Sequence, residues 1–222
     1  MANQKKKQAI PDSTYYTAKK GWLIDRKQVP NPCVATVDQW LNTWNTQSGY
    51  VEQESALRVL FTQLCPKNDN LDHVLIKVCT LNDFYSTNIY KVFDVAQVIQ
   101  SMAKDLDNAF ASNQRKACLA DTLDDKVKNK TDRAIYSFAS KYFSHHNPDI
   151  YPIYDSYVDK LLRFYRDTDK LLDFKDKDLK KYSSFCDVID DFKKAYGLEK
   201  YTAKEIDKFL WQVGKKTFPK YV

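Results

Sequence analysis

Only four glycines occur in 222 residues, so the backbone has few places where it can take a positive φ cheaply. Folds that depend on glycine turns and phosphate-cradling loops are disfavoured from the outset. After residue 36, apolar side chains recur at spacings of three and four almost everywhere, and strands find little support. The fold class expected is all-α, with many helices.

Local signals place several of these helices. Thr36 with Gln39 reads as a capping box ahead of Trp40, Leu41 and Trp44, and Thr202 with Glu205 repeats the pattern ahead of Ile206 to Val213. Val92, Val95, Ala96, Ile99, Ala103, Leu106 and Phe110 share one face, as do Val158, Leu161, Leu162 and Tyr165. Tyr182 to Tyr196 reads as a late helix, which Gly197 closes because glycine tolerates the left-handed conformation of a helix C-terminus. Residues 66–72 read as a turn-rich loop, and residues 167–181 as a mixed-charge surface stretch whose interleaved signs cancel.

There are 35 basic and 29 acidic side chains, giving a net charge of +6 and a pI near 8.9. This excess suits a polyanionic partner without requiring one. No apolar run reaches the length of a membrane span, and no signal-peptide pattern follows the N-terminal lysines, so a soluble cytoplasmic protein is expected. The five cysteines, Cys33, Cys65, Cys79, Cys118 and Cys186, are scattered without paired spacing and read as reduced, mostly buried thiols. His145 and His146 are adjacent, an arrangement that does not aim two rings at one metal from a helix. They read as a polar helix end, one ring favouring the negative pole of the helix dipole. No metal and no cofactor is expected. The glycine loops of nucleotide folds and the strand-turn-helix elbow of hydrolases are missing as well.

What stands out is Lys141, set among Ile135, Phe138, Ala139, Tyr142 and Phe143. Burial of a lysine disfavours the ammonium, lowers the pKa and leaves a free amine able to attack an electrophilic carbon. Asp155 follows fourteen residues later, placed to orient or deprotonate it. A plainer reading stands beside this one: Lys141 lays its stem on the surface with its head in water, and Asp155 caps the helix that begins at Ser156.

The run Phe138-Ala139-Ser140-Lys141, followed by Pro152-Ile153-Tyr154-Asp155-Ser156-Tyr157-Val158, resembles the lysine and aspartate of the helix-hairpin-helix DNA glycosylase superfamily, nearest to its 8-oxoguanine glycosylase branch. Residues 77–99 resemble the helix, amide-rich turn and following helix of that family's first lobe. The resemblance implies a two-lobed helical fold with a cleft, here a single domain over residues 1–222, with an irregular segment at 1–35 and lobes at 36–130 and 131–222. It implies Lys141 as nucleophile, Asp155 as its helper, and Asn82, Thr87, Asn88 and Ser140 at the DNA. The partner implied is double-stranded DNA, met by a monomer, with Lys5 to Lys7, Lys19, Lys20, Lys126, Lys128 and Lys130 screening phosphates. One departure is plain: the family's Gly-x-Gly hairpin has no counterpart at Ile135 to Ala139. The alternative is a noncatalytic helical scaffold or interaction module that keeps the fold.

Overall fold

The computed structural model describes residues 15–17 and 23–218. Lys5 to Lys7, Lys19 and Lys20 lie outside the described residues. Ten α-helices account for most of what is described: α1 Val34–Asn45, α2 Ser48–Val59, α3 Leu71–Tyr85, α4 Val92–Ser101, α5 Ala103–Phe110, α6 Cys118–Thr131, α7 Tyr136–His146, α8 Ser156–Asp169, α9 Tyr182–Ala195 and α10 Ala203–Thr217. The all-α reading holds, with one addition. A short ribbon of β1 (Tyr15–Thr17) antiparallel to β2 (Leu23–Asp25) precedes the helices, pairing Tyr16 with Ile24.

Helix ends follow local chemistry. The Thr202 hydroxyl accepts the amide of Glu205, whose carboxylate accepts the amide of Thr202, so α10 begins on a true capping box. The other expected box is a misreading: α1 starts at Val34 with Cys33 at its cap, and Thr36 lies inside the first turn, its hydroxyl 3.1 Å from the Cys33 thiol. Gly197 takes φ of +65° after α9, and the Leu198 amide reaches back to the Lys193 carbonyl at 2.8 Å. The single apolar face expected over residues 92–110 is split at Met102, where φ −103° and ψ 6° break the helix into α4 and α5.

One continuous core runs through both halves of the chain and is rich in rings, among them Phe61, Phe143, Phe164, Phe192 and Phe209. The middle of it is α7, in which eight of eleven residues are buried, polar Ser140, Lys141 and Ser144 included. A helix enclosed on all sides is wrapped by neighbours rather than lying on a surface. Here α3, α6 and α2 pack around it, while α8 packs against α10 and α10 against α1.

Residues 167–181 are more than a solvated stretch. Leu172, Phe174 and Leu179 are buried, Asp176 pairs with Arg163 and Arg166, and Asp169 receives Arg26 at 2.5 and 2.7 Å. The Arg26 guanidinium also lies over the rings of Phe164 and Tyr165, which ties the N-terminal ribbon to α8. The thiols divide differently from expectation: Cys65 and Cys186 are buried, whereas Cys33, Cys79 and Cys118 are exposed.

The α8–α10 contact is closest at Gly214, where an added methyl would stand 2.7 Å from the Tyr157 carbonyl oxygen and 3.0 Å from its Cβ. Alanine normally favours a helix interior by about 1 kcal/mol over glycine. Here the clash decides the sign: Gly214→Ala is expected to lose about 1–3 kcal/mol in urea denaturation, the usual cost of overpacking. A stabilised variant would mean that the two helices are not in backbone contact.

Candidate functional site

The site begins at the turn between α6 and α7. Asp132 takes a positive φ of 61°, and the Ile135 amide donates to the Asp124 carboxylate, so the chain enters α7 sharply without a glycine. After α7 the chain doubles back along it through Pro148 and Pro152. Ser140 fastens the return, accepting the Tyr154 amide at 3.0 Å and donating to the Ser137 carbonyl at 2.9 Å. Tyr182 holds the same segment from the far side, its hydroxyl donating to the Pro152 carbonyl at 2.8 Å.

Lys141 is enclosed between these two pieces of chain, 3 % exposed. Its ammonium donates to the Ser137 hydroxyl at 2.7 Å, the Ser137 carbonyl at 3.2 Å and the Tyr154 carbonyl at 3.1 Å, and lies 5.3 Å from the centre of the Tyr85 ring. Each of these partners is neutral. Burial therefore dominates and pushes the amine down to about 8, against the pull of Asp155 and Asp207 and helped by the charge of Lys204. The Tyr85 hydroxyl meets Nε2 of His145 at 2.9 Å, which fixes the ring that covers the amine.

Asp155 is the N-cap of α8, one carboxylate oxygen accepting the Tyr157 amide at 2.7 Å. It shares with Lys141 the wall of a cavity of about 420 Å³ between α1, α2 and the end of α3 on one side and α7, α8 and α10 on the other. Trp44, Tyr50 and Trp211 build an aromatic corner there, with Trp44 and Tyr50 stacked at 5.6 Å and the Trp211 ring edge-on to both. Asp207 also lines the cavity, and its Oδ1 is shut off from solvent without a hydrogen-bond partner. Burial, opposed by Lys204 and reinforced by Asp155, raises the Asp207 carboxyl to about 7. Glu54 behaves in the opposite way. Burial works against its charge, but Lys204 and Lys208 outweigh it and hold this carboxyl below its ordinary value.

Of the residues singled out in the sequence, the structure brings Lys141 and Asp155 to one cavity and puts the others elsewhere. Ser140 is fully buried and spends its hydroxyl on the backbone. Asn82 turns inward, donating to the Ile89 carbonyl and accepting from the Ile89 amide and the Thr87 hydroxyl, so it braces the α3–α4 loop. Asn88 is exposed with φ of 57°, and with Thr87 it lines a second cavity of about 410 Å³ near the start of α7. Lys126, Lys128 and Lys130 are exposed along α6.

The histidine reading is reversed. Burial drives both rings well below their ordinary pKa, so neither supplies a cation to the helix dipole. His146 instead stacks on Phe110 at 4.2 Å and 4°. Sequence reasoning also passed over Asp207 and Trp211, one turn apart on α10. The legible signal was their shared face behind the Thr202 capping box, with Lys204, Lys208 and Lys215 on the same stripe.

These shifts have a measurable consequence. The folded chain releases the Lys141 proton at about 8 and the unfolded chain near 10.5, so between those values the unfolded state holds more protons and stability rises with pH. Lys141→Met removes that gain: relative to wild type, the variant is expected to lose on the order of 3 kcal/mol between pH 8 and 10.5 and nothing below pH 7. Urea denaturation across this range checks it. A difference independent of pH would mean that the amine titrates as it does in water.

Comparison with known proteins bears on the same residues. A family profile described as HI_0787_N, N-terminal domain, matches residues 36–150, which runs from the first turn of α1 through α7 and Lys141 but ends before Asp155. An uncharacterized protein of Haemophilus influenzae is 40% identical over 150 residues, spanning 68% of this chain and 70% of its own length. No solved structure matches the chain. On the matched span and on this identity, the chain belongs to the HI_0787_N family.

Proposed function

We propose that the chain is a DNA glycosylase-like enzyme that removes a base by lysine Schiff-base chemistry. The observation that carries this reading is the Lys141 amine, stripped of water, lowered to about 8, and set on the wall of an aromatic cavity together with Asp155. At pH 7 such an amine is free of its proton about a tenth of the time, far more often than an exposed lysine. The resemblance of Phe138–Lys141 and Pro152–Val158 to the helix-hairpin-helix glycosylases points the same way.

In this reading a base turned out of the stack enters the cavity and lies against Trp44, Tyr50 and Trp211. Asp207, whose Oδ1 is unpartnered at rest, turns its carboxyl group toward an N–H on the base edge and so satisfies that acceptor. The Lys141 lone pair forms a bond to the sugar C1′ while the glycosidic bond breaks. The base leaves with the electron pair of the glycosidic bond and takes up a proton; the sugar-bound nitrogen gives up one proton, and as its lone pair forms the C1′=N bond the C1′–O4′ electron pair passes to O4′, which is protonated, so the ring opens to a Schiff base. Asp155 steadies the positive charge that develops on the sugar. Before attack, the amine must turn away from the Ser137 and Tyr154 oxygens that now hold it.

Borohydride reduction on duplexes carrying oxidised guanine, uracil or an abasic site is the direct test, because it traps the Schiff base. Wild type is expected to give a covalent adduct, Lys141→Gln none, and Asp155→Asn a rate lower by about a hundredfold or more. No adduct on any duplex, together with no salt-dependent binding, would leave the noncatalytic helical module as the better reading.

A further inference from the structure

The second cavity is not used by the chemistry above. It opens between the α3–α4 loop and the α6–α7 turn, with Ile135 and Phe138 on its apolar wall and Tyr90, Lys91 and Arg133 at its rim. Tyr90 is 77 % exposed, an unusual setting for a large ring, and the Arg133 guanidinium lies 5.0 Å from its centre. Arg133 and Lys91 are exposed, and neither joins an ion pair with a carboxylate among the described residues. This contrasts with the main cavity, where Glu54 takes both Lys204 and Lys208.

An exposed ring, an apolar slot of about 410 Å³ and two uncompensated cations at its rim together match one ligand chemistry: a flat heterocycle carrying a phosphate. A peptide would use the ring and the slot but would leave the paired positive charge without a partner, unless it were acidic. The position adds a constraint. Ser137 lines this cavity, Lys141 lines the other, and one turn of α7, about 6 Å along its axis, separates them. The Ser137 hydroxyl is itself the nearest acceptor of the Lys141 ammonium, at 2.7 Å.

We propose that this second cavity binds an unstacked nucleotide of single-stranded nucleic acid, with Tyr90 stacking the base and Arg133 and Lys91 gripping the phosphate. The inference rests on the nucleic-acid reading of the function but not on the Lys141 chemistry. It assigns the α3–α4 loop a role carried by Tyr90 rather than by Asn82 and Thr87, which are tied up within the loop.

The test is titration of the full chain with a fluorescein-labelled single-stranded thymidine oligonucleotide at several salt concentrations. Tyr90→Ala is expected to weaken binding roughly fivefold or more, the usual effect of removing a base-stacking ring, with the salt slope unchanged. Arg133→Ala should weaken binding and lower the slope of log affinity against log salt by about one. Tyr90→Phe should retain most of the affinity. Tyr90 and Arg133 are both exposed, so loss of fold does not confuse the comparison.

Wild-type affinity in Tyr90→Ala would overturn the proposal, as would the absence of any oligonucleotide binding by wild type. The outcomes separate from those of the trapping experiment. Binding that depends on Tyr90 without any borohydride adduct removes the Lys141 reading alone. An adduct with binding indifferent to Tyr90 removes this one alone.

Discussion

The enclosure of one lysine by neutral oxygens organises the centre of this molecule. A buried ammonium is costly unless it is paired or fully hydrogen-bonded, and Lys141 is met by the hydroxyl and carbonyl of Ser137 and by the carbonyl of Tyr154. The last of these is in place because the Pro152–Asp155 segment lies along α7, where Ser140 accepts the Tyr154 amide. Tyr154 is anchored in turn by its hydroxyl, which donates to Asp159, itself bound by Arg163 and Lys180. The position of the amine thus depends on a chain of contacts that reaches from α7 through the return segment into α8. Solvating the charge with dipoles rather than with a carboxylate leaves the amine weakly held as a cation, the condition under which a lysine becomes a nucleophile.

The same economy explains why α7 sits in the middle. Ser137, Ser140 and Lys141 bond to one another's backbone or side chains and to the return segment, while Tyr142 and Phe143 pack against Phe61 and Tyr151. Aromatic side chains take part in that wrapping, edge-on at 5.0 to 5.3 Å in Phe61–Tyr142, Phe110–Phe143 and Phe143–Tyr151, which suits a chain too poor in glycine for close backbone approach. The exception is Gly214, where α10 comes against the Tyr157 backbone and so brings Asp207 and Trp211 over Lys141.

Periodicity made the helices legible, and the Thr202 capping box and Gly197 stop were readable to the residue. Signals that depended on three-dimensional surroundings were not. Thr36 and Gln39 satisfy the capping pattern, yet Cys33 occupies the cap, because the helix was free to start earlier. His145 and His146 looked like a polar helix end, and burial among Phe61, Phe110 and Tyr85 is what disfavours their charged form. Lys141 and Asp155 were visible as a pair because both lie within one local supersecondary unit. Asp207 and Trp211 were not, since nothing local tells a reader that α10 returns to cover a residue 66 positions earlier than Asp207. Asp155 serves both readings at once, as an N-cap and as part of the cavity wall, so its capping role does not argue against the other.

The molecule contains its own comparison for Lys141. Lys77, on α3, is completely buried, and burial lowers its amine to about 8 as well. Its ammonium donates to the Lys67 carbonyl and to Asn68 and lies 3.1 Å from Nε2 of His146, beneath the rings of Phe61 and Tyr142. Asn68 is held by Asp107, so the whole set forms a closed network. Two lysines with the same perturbation therefore differ in access: Lys141 stands on the wall of a cavity of about 420 Å³, and Lys77 stands on the wall of neither cavity described above. A lowered pKa alone does not mark a reactive amine, because a structural lysine in a closed network has it too. What distinguishes Lys141 is the combination of that pKa with open space, a carboxylate on the same cavity wall and stacked rings lining it, the features by which the proposed base-excising site is read.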